Sequence, residues 1–176
     1  MSPILSIITA LLATPLLSAQ SPPIREICKS TDIITILSAV TQQTHEWNIA
    51  LQSTRNGTME AQIIMSGAKQ QLMLIRSAER ENCTAPTDNQ EKVCEAIREF
   101  ANLEEETLYT VKSKNSTVIG TPKYNFSYVL QYDEDAINSY LFRLVGTVPE
   151  CIGEIAPQVD SLVASLKEAV NAYSEY

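Results

Sequence analysis

The chain has 176 residues, and its 21 acidic side chains outnumber its 13 basic ones, for a formal net charge of −8. This balance argues against a nucleic-acid partner, because the phosphates would be repelled by an acidic surface. The length suits a single domain with a sizeable core. One histidine and four cysteines leave few residues for nucleophilic catalysis or a metal site.

The amino-terminal segment predicts secretion. No charged residue occurs from Pro3 to Leu17, and the apolar block ends in the small residues Ser18 and Ala19. This is the layout of a signal peptide, so we expect a signal peptide over 1–19 and a bundle domain over 20–176. A membrane anchor is the alternative, but the block is shorter than the ~20 residues that a span needs, and Pro15 interrupts it. We therefore expect an extracellular protein without a transmembrane segment.

Five later segments carry apolar residues every three or four positions, the spacing of amphipathic helices. They cover about 31–54, Thr58 to Ala78, the stretch from a Thr87-Asp88 cap to Val111, Val129 to Val145, and Ile152 to Tyr173. Period-two alternation is not sustained anywhere. The pattern predicts an all-α, single-domain bundle of about five antiparallel helices. Gly67 inside the second helix suggests close helix approach or room left for something else.

The four cysteines predict two disulfides in a secreted chain. With short loops, consecutive helices run antiparallel, and all four cysteines then fall at one end of the bundle. The expected pairs are Cys28–Cys83 and Cys94–Cys151, and a Cys83–Cys94 pair stays open. Four acceptor sequons predict N-glycosylation at Asn56, Asn82, Asn115 and Asn125. Three of these asparagines, all but Asn82, are expected at the end opposite the cysteines.

Catalytic chemistry finds little support. His45 lies on a polar stretch and is expected to be a surface histidine rather than a general base. The acidic runs Glu104-Glu105-Glu106 and Asp133-Glu134-Asp135 are expected on a solvated face, because consecutive helix residues diverge by ~100° and cannot converge on one ion. Glycines do not cluster into a phosphate-binding loop. The sequence thus predicts a protein that is not an enzyme and has no cofactor and no metal.

The carboxyl-terminal part resembles the fungal hydrophobic surface-binding protein A family, which includes cell-wall galactomannoproteins. The resemblance lies in Leu144-Val145-Gly146-Thr147-Val148-Pro149, then Leu162 and Leu166, and the closing Ala169-Val170-Asn171-Ala172-Tyr173. The first helix, running into Arg55-Asn56-Gly57, is similar to the opening helix of that family. Family members are typically rich in Ala, Ser and Thr and poor in cysteine, and in these respects this chain differs.

The resemblance implies a helical bundle whose interior takes up fatty acids or other lipids, or which adsorbs to hydrophobic surfaces. Burying an acyl chain gains ~0.8 kcal/mol per CH₂ and needs an apolar gap with a polar mouth. The candidate lining residues are equally candidates for plain core. They are Ile64, Leu72, Phe100, Leu108, Val129, Tyr140, Leu144, Leu162 and Leu166.

Other partners stay open as alternatives. A cell-wall polysaccharide is one, and a protein recognised through an exposed helical face, by an inhibitor or a secreted effector, is another. Plant inhibitors of invertase and pectin methylesterase are also secreted four-cysteine bundles, but they place their first two cysteines close together. Cys28 and Cys83 are far apart here, which argues against that family and leaves inhibition itself open.

Overall fold

The computed structural model describes residues 29–78, 87–118 and 123–174. Within these ranges the chain forms five α-helices and no strand, so the all-α prediction is confirmed. The helices are α1 (Ser30–Ser53), α2 (Gly57–Ala78), α3 (Gln90–Ser113), α4 (Lys123–Thr147) and α5 (Ile152–Ser174). The predicted signal peptide, Cys28, Asn82 and Cys83 lie outside the described residues. None of the five helices combines the length and the hydropathy needed to cross a bilayer.

The connections between helices supply hydrogen-bond acceptors that the first turns lack. Asn56 Oδ1 accepts a hydrogen bond from the backbone N–H of Thr58 at 3.0 Å and so caps α2. The side chain of Asn89 caps α3, so the predicted Thr87-Asp88 cap is wrong in position. Asp88 Oδ1 instead accepts from the backbone N–H of Ser30 at 2.9 Å, at the start of α1. The short connections therefore supply the side chains that cap the first turns of helices.

The five helices pack as a closed ring. α1 contacts α2 and α3, α5 contacts α3 and α4, and α2 contacts α4, which completes the circuit. Hydrogen bonds between α1 and α3 pair their residues in the same sequence order. Between α1 and α2 the order is opposite, because Thr44 pairs with Gln71 and Trp47 packs on Gly67. This order means that α1 and α2, which are consecutive in the chain, run in opposite directions.

One predicted disulfide is present among the described residues. Cys94 near the start of α3 is bonded to Cys151 in the α4–α5 connection, 57 residues away. In the chain-entropy model a loop of this length stabilises the fold by about 4 kcal/mol, because the cross-link restricts the unfolded chain. The bond ties the amino end of α3 to the turn between α4 and α5.

The apolar interior consists of two clusters. The disulfide-end cluster contains Cys94 and is built around Phe100, Leu108, Leu141 and Leu162, each at most 2% exposed. The Trp47-end cluster joins the other ends of the helices around Trp47, Leu51, Ile64, Phe126 and Tyr173. The Phe126 and Tyr173 rings pack with centroids 5.4 Å apart, and Tyr173 Oη donates to the carbonyl oxygen of Val111 at 2.8 Å.

Gly67 allows α1 and α2 to approach closely. The residue is buried, and a Cβ added to it would overlap the indole ring of Trp47. The ring is itself 3% exposed and occupies the space that any other residue at position 67 would need. Of the two readings of Gly67, close helix approach is the one that the structure shows.

We predict that Gly67→Ala destabilises the protein, although alanine is the better helix former. Overpacking against a buried ring typically costs about 1–3 kcal/mol, more than the ~1 kcal/mol that alanine gains within a helix. Urea denaturation of the two proteins measures the difference. Gly153→Ala in α5 is the matched control, since a Cβ there meets nothing within 4 Å, and it should leave stability equal or higher. A Gly67→Ala protein as stable as the control would contradict the close approach.

Candidate functional site

Most of the predicted lining residues lie in the half of the bundle that holds the disulfide-end cluster. Seven of the nine belong to the disulfide-end cluster or pack against it, whereas Ile64 belongs to the Trp47-end cluster and Val129 packs against that cluster. Leu72 and Val129 are partly buried and the others are buried. The seven are Leu72, Phe100, Leu108, Tyr140, Leu144, Leu162 and Leu166. Their role as ligand contacts stays a prediction.

A buried polar layer lies where the two clusters meet. Thr44 on α1, Gln71 on α2, Glu104 on α3 and Asp133 on α4 are each 0% exposed. On α1, α2 and α4 the polar residue separates side chains of the disulfide-end cluster from those of the Trp47-end cluster. Four of the five helices thus present a polar side chain to the middle of an otherwise apolar interior.

Hydrogen bonds satisfy only part of this layer. Glu104 Oε2 accepts from Thr44 Oγ1 at 3.1 Å and also from Gln71 Nε2, which lies 3.1 Å from Thr44 Oγ1 as well. The other oxygen of Glu104, the side-chain oxygen of Gln71 and both carboxyl oxygens of Asp133 are buried without a hydrogen-bond partner among the described residues. The layer therefore has more acceptors than donors.

Burial holds the two carboxyl groups toward their neutral forms. Desolvation raises the pKa of Glu104 to about 7, although the hydrogen bonds from Gln71 and Thr44 act in the opposite direction. Desolvation, together with the neighbouring charge of Glu104, raises the pKa of Asp133 well above its ordinary value. A carboxyl kept neutral in this way can donate a hydrogen bond as well as accept one.

The expectation of a solvated face for both acidic runs is wrong for one residue in each. Glu104 and Asp133 are fully buried, while Glu106 and Asp135 are exposed. The signal was available in the spacing: Glu104 follows Phe100 by four positions and precedes Leu108 by four. Both neighbours are buried, so Glu104 occupies a core position of the helical stripe. One residue of an acidic run can therefore be buried while its neighbours face water.

The aromatic and methionine side chains divide between core and surface. Trp47, Phe100 and Tyr140 are buried, whereas Tyr128 and Tyr132 are exposed and contact each other edge to face at 4.7 Å between ring centroids. The guanidinium of Arg76 lies 5.8 Å from the Tyr132 ring centroid. Met59 and Met73 are exposed at 53% and 71%, so neither contributes to an enclosed pocket.

A partly buried ion pair joins helices at the end opposite the disulfide. Lys114 Nζ donates to Glu60 Oε1 at 2.7 Å and to the carbonyl oxygen of Thr54 at 3.0 Å. Thr117 Oγ1 donates to Glu60 Oε2 at 2.6 Å. Burial opposes the charge on Glu60, but the hydrogen bonds from Lys114 and Thr117 outweigh it and lower the pKa of Glu60. These contacts bring the α1–α2 connection to the end of α3.

The same contacts place two sequon asparagines near one another. Asn56 is exposed in the α1–α2 connection and Asn115 is partly buried after α3, both at the end away from Cys94–Cys151. Asn125 lies in the first turn of α4. Glycosylation of these residues stays a prediction.

His45 is exposed on α1, as expected. It lines an open groove of about 670 Å³ between α1 and α3, together with Ser38, Glu99 and Asn102. Ser38 precedes His45 by seven helix residues, which is about 10 Å and too far for the hydrogen bond of a nucleophile–base pair. Across the described ranges, no group of three or more His, Cys, Asp or Glu side chains is placed to hold a metal ion.

Comparisons with known proteins identify the fold. No family model and no curated protein sequence matches the chain. Among solved structures, the fold is similar to ligand binding domain 1 of the Penicillium marneffei MP1 protein, which was solved in complex with arachidonic acids. The match has a TM-score of 0.62 and 13% sequence identity, and it covers 83% of this chain and 99% of that domain. At this identity the likeness establishes a shared helical fold.

We predict that the protein loses stability as the pH rises from 5 to 8. The folded state raises the pKa of Glu104 from 4.5 to about 7, so over this range it binds more protons than the unfolded chain, and unfolding becomes easier. Glu104→Gln should reduce this loss, both directly and because it removes the neighbouring charge that raises the pKa of Asp133, and urea denaturation at both pH values measures the difference. Glu60 and Asp88 have lowered pKa values, so their contribution to the pH dependence of stability falls at lower pH.

Glu99→Gln, which changes an exposed carboxylate on the same helix, should behave like the unmodified protein. Glu134, whose pKa is raised by burial, is present in all three proteins and cancels in the comparison. Equal pH dependence in the Glu104→Gln protein and the unmodified one would show that Glu104 is not held neutral.

Proposed function

We propose that the protein is a secreted, non-catalytic binding protein that takes the hydrocarbon chain of a lipid between its helices. The observation that carries the proposal is the apolar interior enclosed by the ring of five helices. It continues past the polar layer into both clusters. Helices of 22 to 25 residues are about 33–37 Å long, so a long acyl chain fits along the bundle.

The energetics favour such a ligand. Each CH₂ group removed from water contributes ~0.8 kcal/mol, so a chain of a dozen carbons offsets a substantial loss of helix–helix contact. The likeness in fold to a domain solved with arachidonic acids supports the same class of ligand. The resemblance to the hydrophobic surface-binding protein family is part of this proposal. So is an antiparallel arrangement of consecutive helices throughout the bundle.

Secretion and association with a cell wall also belong to the proposal. The apolar segment over 1–19 and the four sequons support export. The Cys94–Cys151 bond is of the kind that persists in oxidising compartments. Glycans at Asn56 and Asn115 would cover the end of the bundle opposite that disulfide.

A protein partner is the second candidate, favoured by the surface of α2 and α4. Met73 on α2 and Tyr128 and Phe142 on α4 are 71%, 60% and 81% exposed. Large apolar and aromatic side chains held in water are typical of contact surfaces. This surface would serve an inhibitor or effector that leaves the interior closed.

We predict that the protein secreted by a glycosylating eukaryotic host carries lipid. Solvent extraction followed by mass spectrometry should recover a long-chain lipid in stoichiometric amount, or the lipid-free protein should take one up saturably. Phe100→Leu should change the uptake, because Phe100 is fully buried within the disulfide-end cluster. Phe142→Leu is the matched control at an 81% exposed position and should leave uptake unchanged.

Two results would contradict the proposal. A lipid-free protein that ignores added lipid would make the two clusters ordinary core and favour the protein partner. Uptake that depends on Phe142 and is indifferent to Phe100 would indicate adsorption to the exposed surface of α4 in place of binding between helices.

A further inference from the structure

The outward surface of α4 is apolar and aromatic and carries little charge. Tyr128, Tyr132 and Phe142 are 60%, 39% and 81% exposed. At ~100° per residue they lie within an arc of about 80° on the helix. Large side chains held in water in this way are typical of a contact surface. Among the described exposed residues of α4 only Asp135 is charged, and the full set is Tyr128, Gln131, Tyr132, Asp135, Asn138, Ser139, Phe142 and Gly146.

The neighbouring helix α2 extends this surface. Met73 is 71% exposed, and the exposed residues of α2 include the cations Lys69 and Arg76 but no carboxylate. The guanidinium of Arg76 lies 5.8 Å from the centroid of the Tyr132 ring, so the two helices contribute to one surface. We call this surface the aromatic face, and its residues are Met73, Arg76, Tyr128, Tyr132 and Phe142.

A row of carboxylates lies on the opposite side of the ring. α3 contacts α1 and α5, so it lies across the bundle from the α2–α4 pair. Its exposed residues include Glu91, Glu95, Glu99 and Glu106. In a protein of net charge −8, the aromatic face can therefore approach phosphate groups with less repulsion than the α3 side would meet.

We propose that the aromatic face docks on the surface of a phospholipid bilayer, from which the protein takes its ligand. The inference rests on the proposed lipid-binding function and specifies the source of the lipid. Tyrosine is enriched where a membrane meets water, because its ring is apolar and its hydroxyl is polar. Arg76, over the Tyr132 ring, is placed to meet a head-group phosphate, which a guanidinium binds through two parallel hydrogen bonds.

A depression beside Phe142 supports the same partner. Asn138, Ser139, Phe142 and Arg143 line an open space of about 580 Å³ on the outside of α4. The amide of Asn138 and the hydroxyl of Ser139 can donate hydrogen bonds to phosphate or ester oxygens. Phe142 is apolar and projects from the same place. A phospholipid surface presents such oxygens beside acyl chains, which are the partners that these polar and apolar side chains require.

Sedimentation of the full-length secreted protein with phosphatidylcholine vesicles tests the docking. We expect the protein to sediment with the vesicles and Phe142→Ser to bind them about tenfold more weakly, the change produced by leaving about 55 Å² of apolar surface in water. Tyr109→Ser is the matched control, because Tyr109 is 72% exposed on α3, across the ring from the aromatic face. Its vesicle binding should equal that of the unmodified protein.

Met73→Ser provides a second change within the aromatic face, on α2, if Phe142→Ser does not fold, as judged by circular dichroism. A protein that does not bind the vesicles would overturn the inference and favour a protein partner for this face. Undiminished binding in both variants of the face, or an equal loss in Tyr109→Ser, would overturn it as well.

A second measurement separates the docking from the lipid-binding function. Laurate should displace N-phenyl-1-naphthylamine from the unmodified protein and from Phe142→Ser at equal concentrations, because Phe142 lies outside the interior. Displacement by laurate without vesicle binding would overturn the docking and leave the lipid-binding function standing. Vesicle binding that requires Phe142, in a protein that takes up neither probe nor laurate, would leave the docking and overturn the lipid-binding function.

Discussion

Four helices of the ring meet at one buried polar layer, and the position of each is constrained by what it contributes there. Thr44, Gln71 and Glu104 are hydrogen-bonded to one another across α1, α2 and α3, and Asp133 faces them from α4. Sliding one helix by a turn would set a carboxyl against apolar side chains, where desolvation is costly. The layer therefore fixes the register of the helices, and the apolar clusters pack around that register.

The same layer lies between the two apolar clusters and divides the interior. Four buried oxygens of the layer have no hydrogen-bond partner among the described residues, and none of the described buried polar residues is cationic.

The ends of the bundle are held by different chemistry. At one end, the Cys94–Cys151 bond ties α3 to the α4–α5 connection. At the other, the partly buried Lys114–Glu60 pair and the Tyr173 hydroxyl bonded to the carbonyl of Val111 join the ends of α2, α3 and α5. Between them, Trp47 fills the space that Gly67 leaves open. The covalent bond and the charged pair hold the two ends, and the polar layer sets the middle.

The spacing of apolar residues and the residues that interrupt this spacing determined the helices. Apolar residues recur every three or four positions, and this spacing is broken at Asn56-Gly57, around Pro86 and at Gly146 to Pro149. The pattern predicts five helices, and the predicted bounds of the first, second and fifth lie close to those of α1, α2 and α5. The same spacing put Cys94 and Cys151 at one end, and their bond follows. Local rules suffice here, because a helix depends on residues within a few positions of one another.

Tertiary structure alone decided the centre of the bundle. Glu104 and Asp133 lie in acidic runs that are most simply interpreted as solvated. The spacing from Phe100 and Leu108 marks Glu104 as a core position, but only the folded ring shows that Glu104 and Asp133 share one buried layer. The closing of the ring between α2 and α4, and the occupation of the space over Gly67 by Trp47, likewise join residues far apart in sequence. Desolvation, which raises the pKa of both carboxyls, depends on all of those neighbours at once, so it exists only in the folded protein.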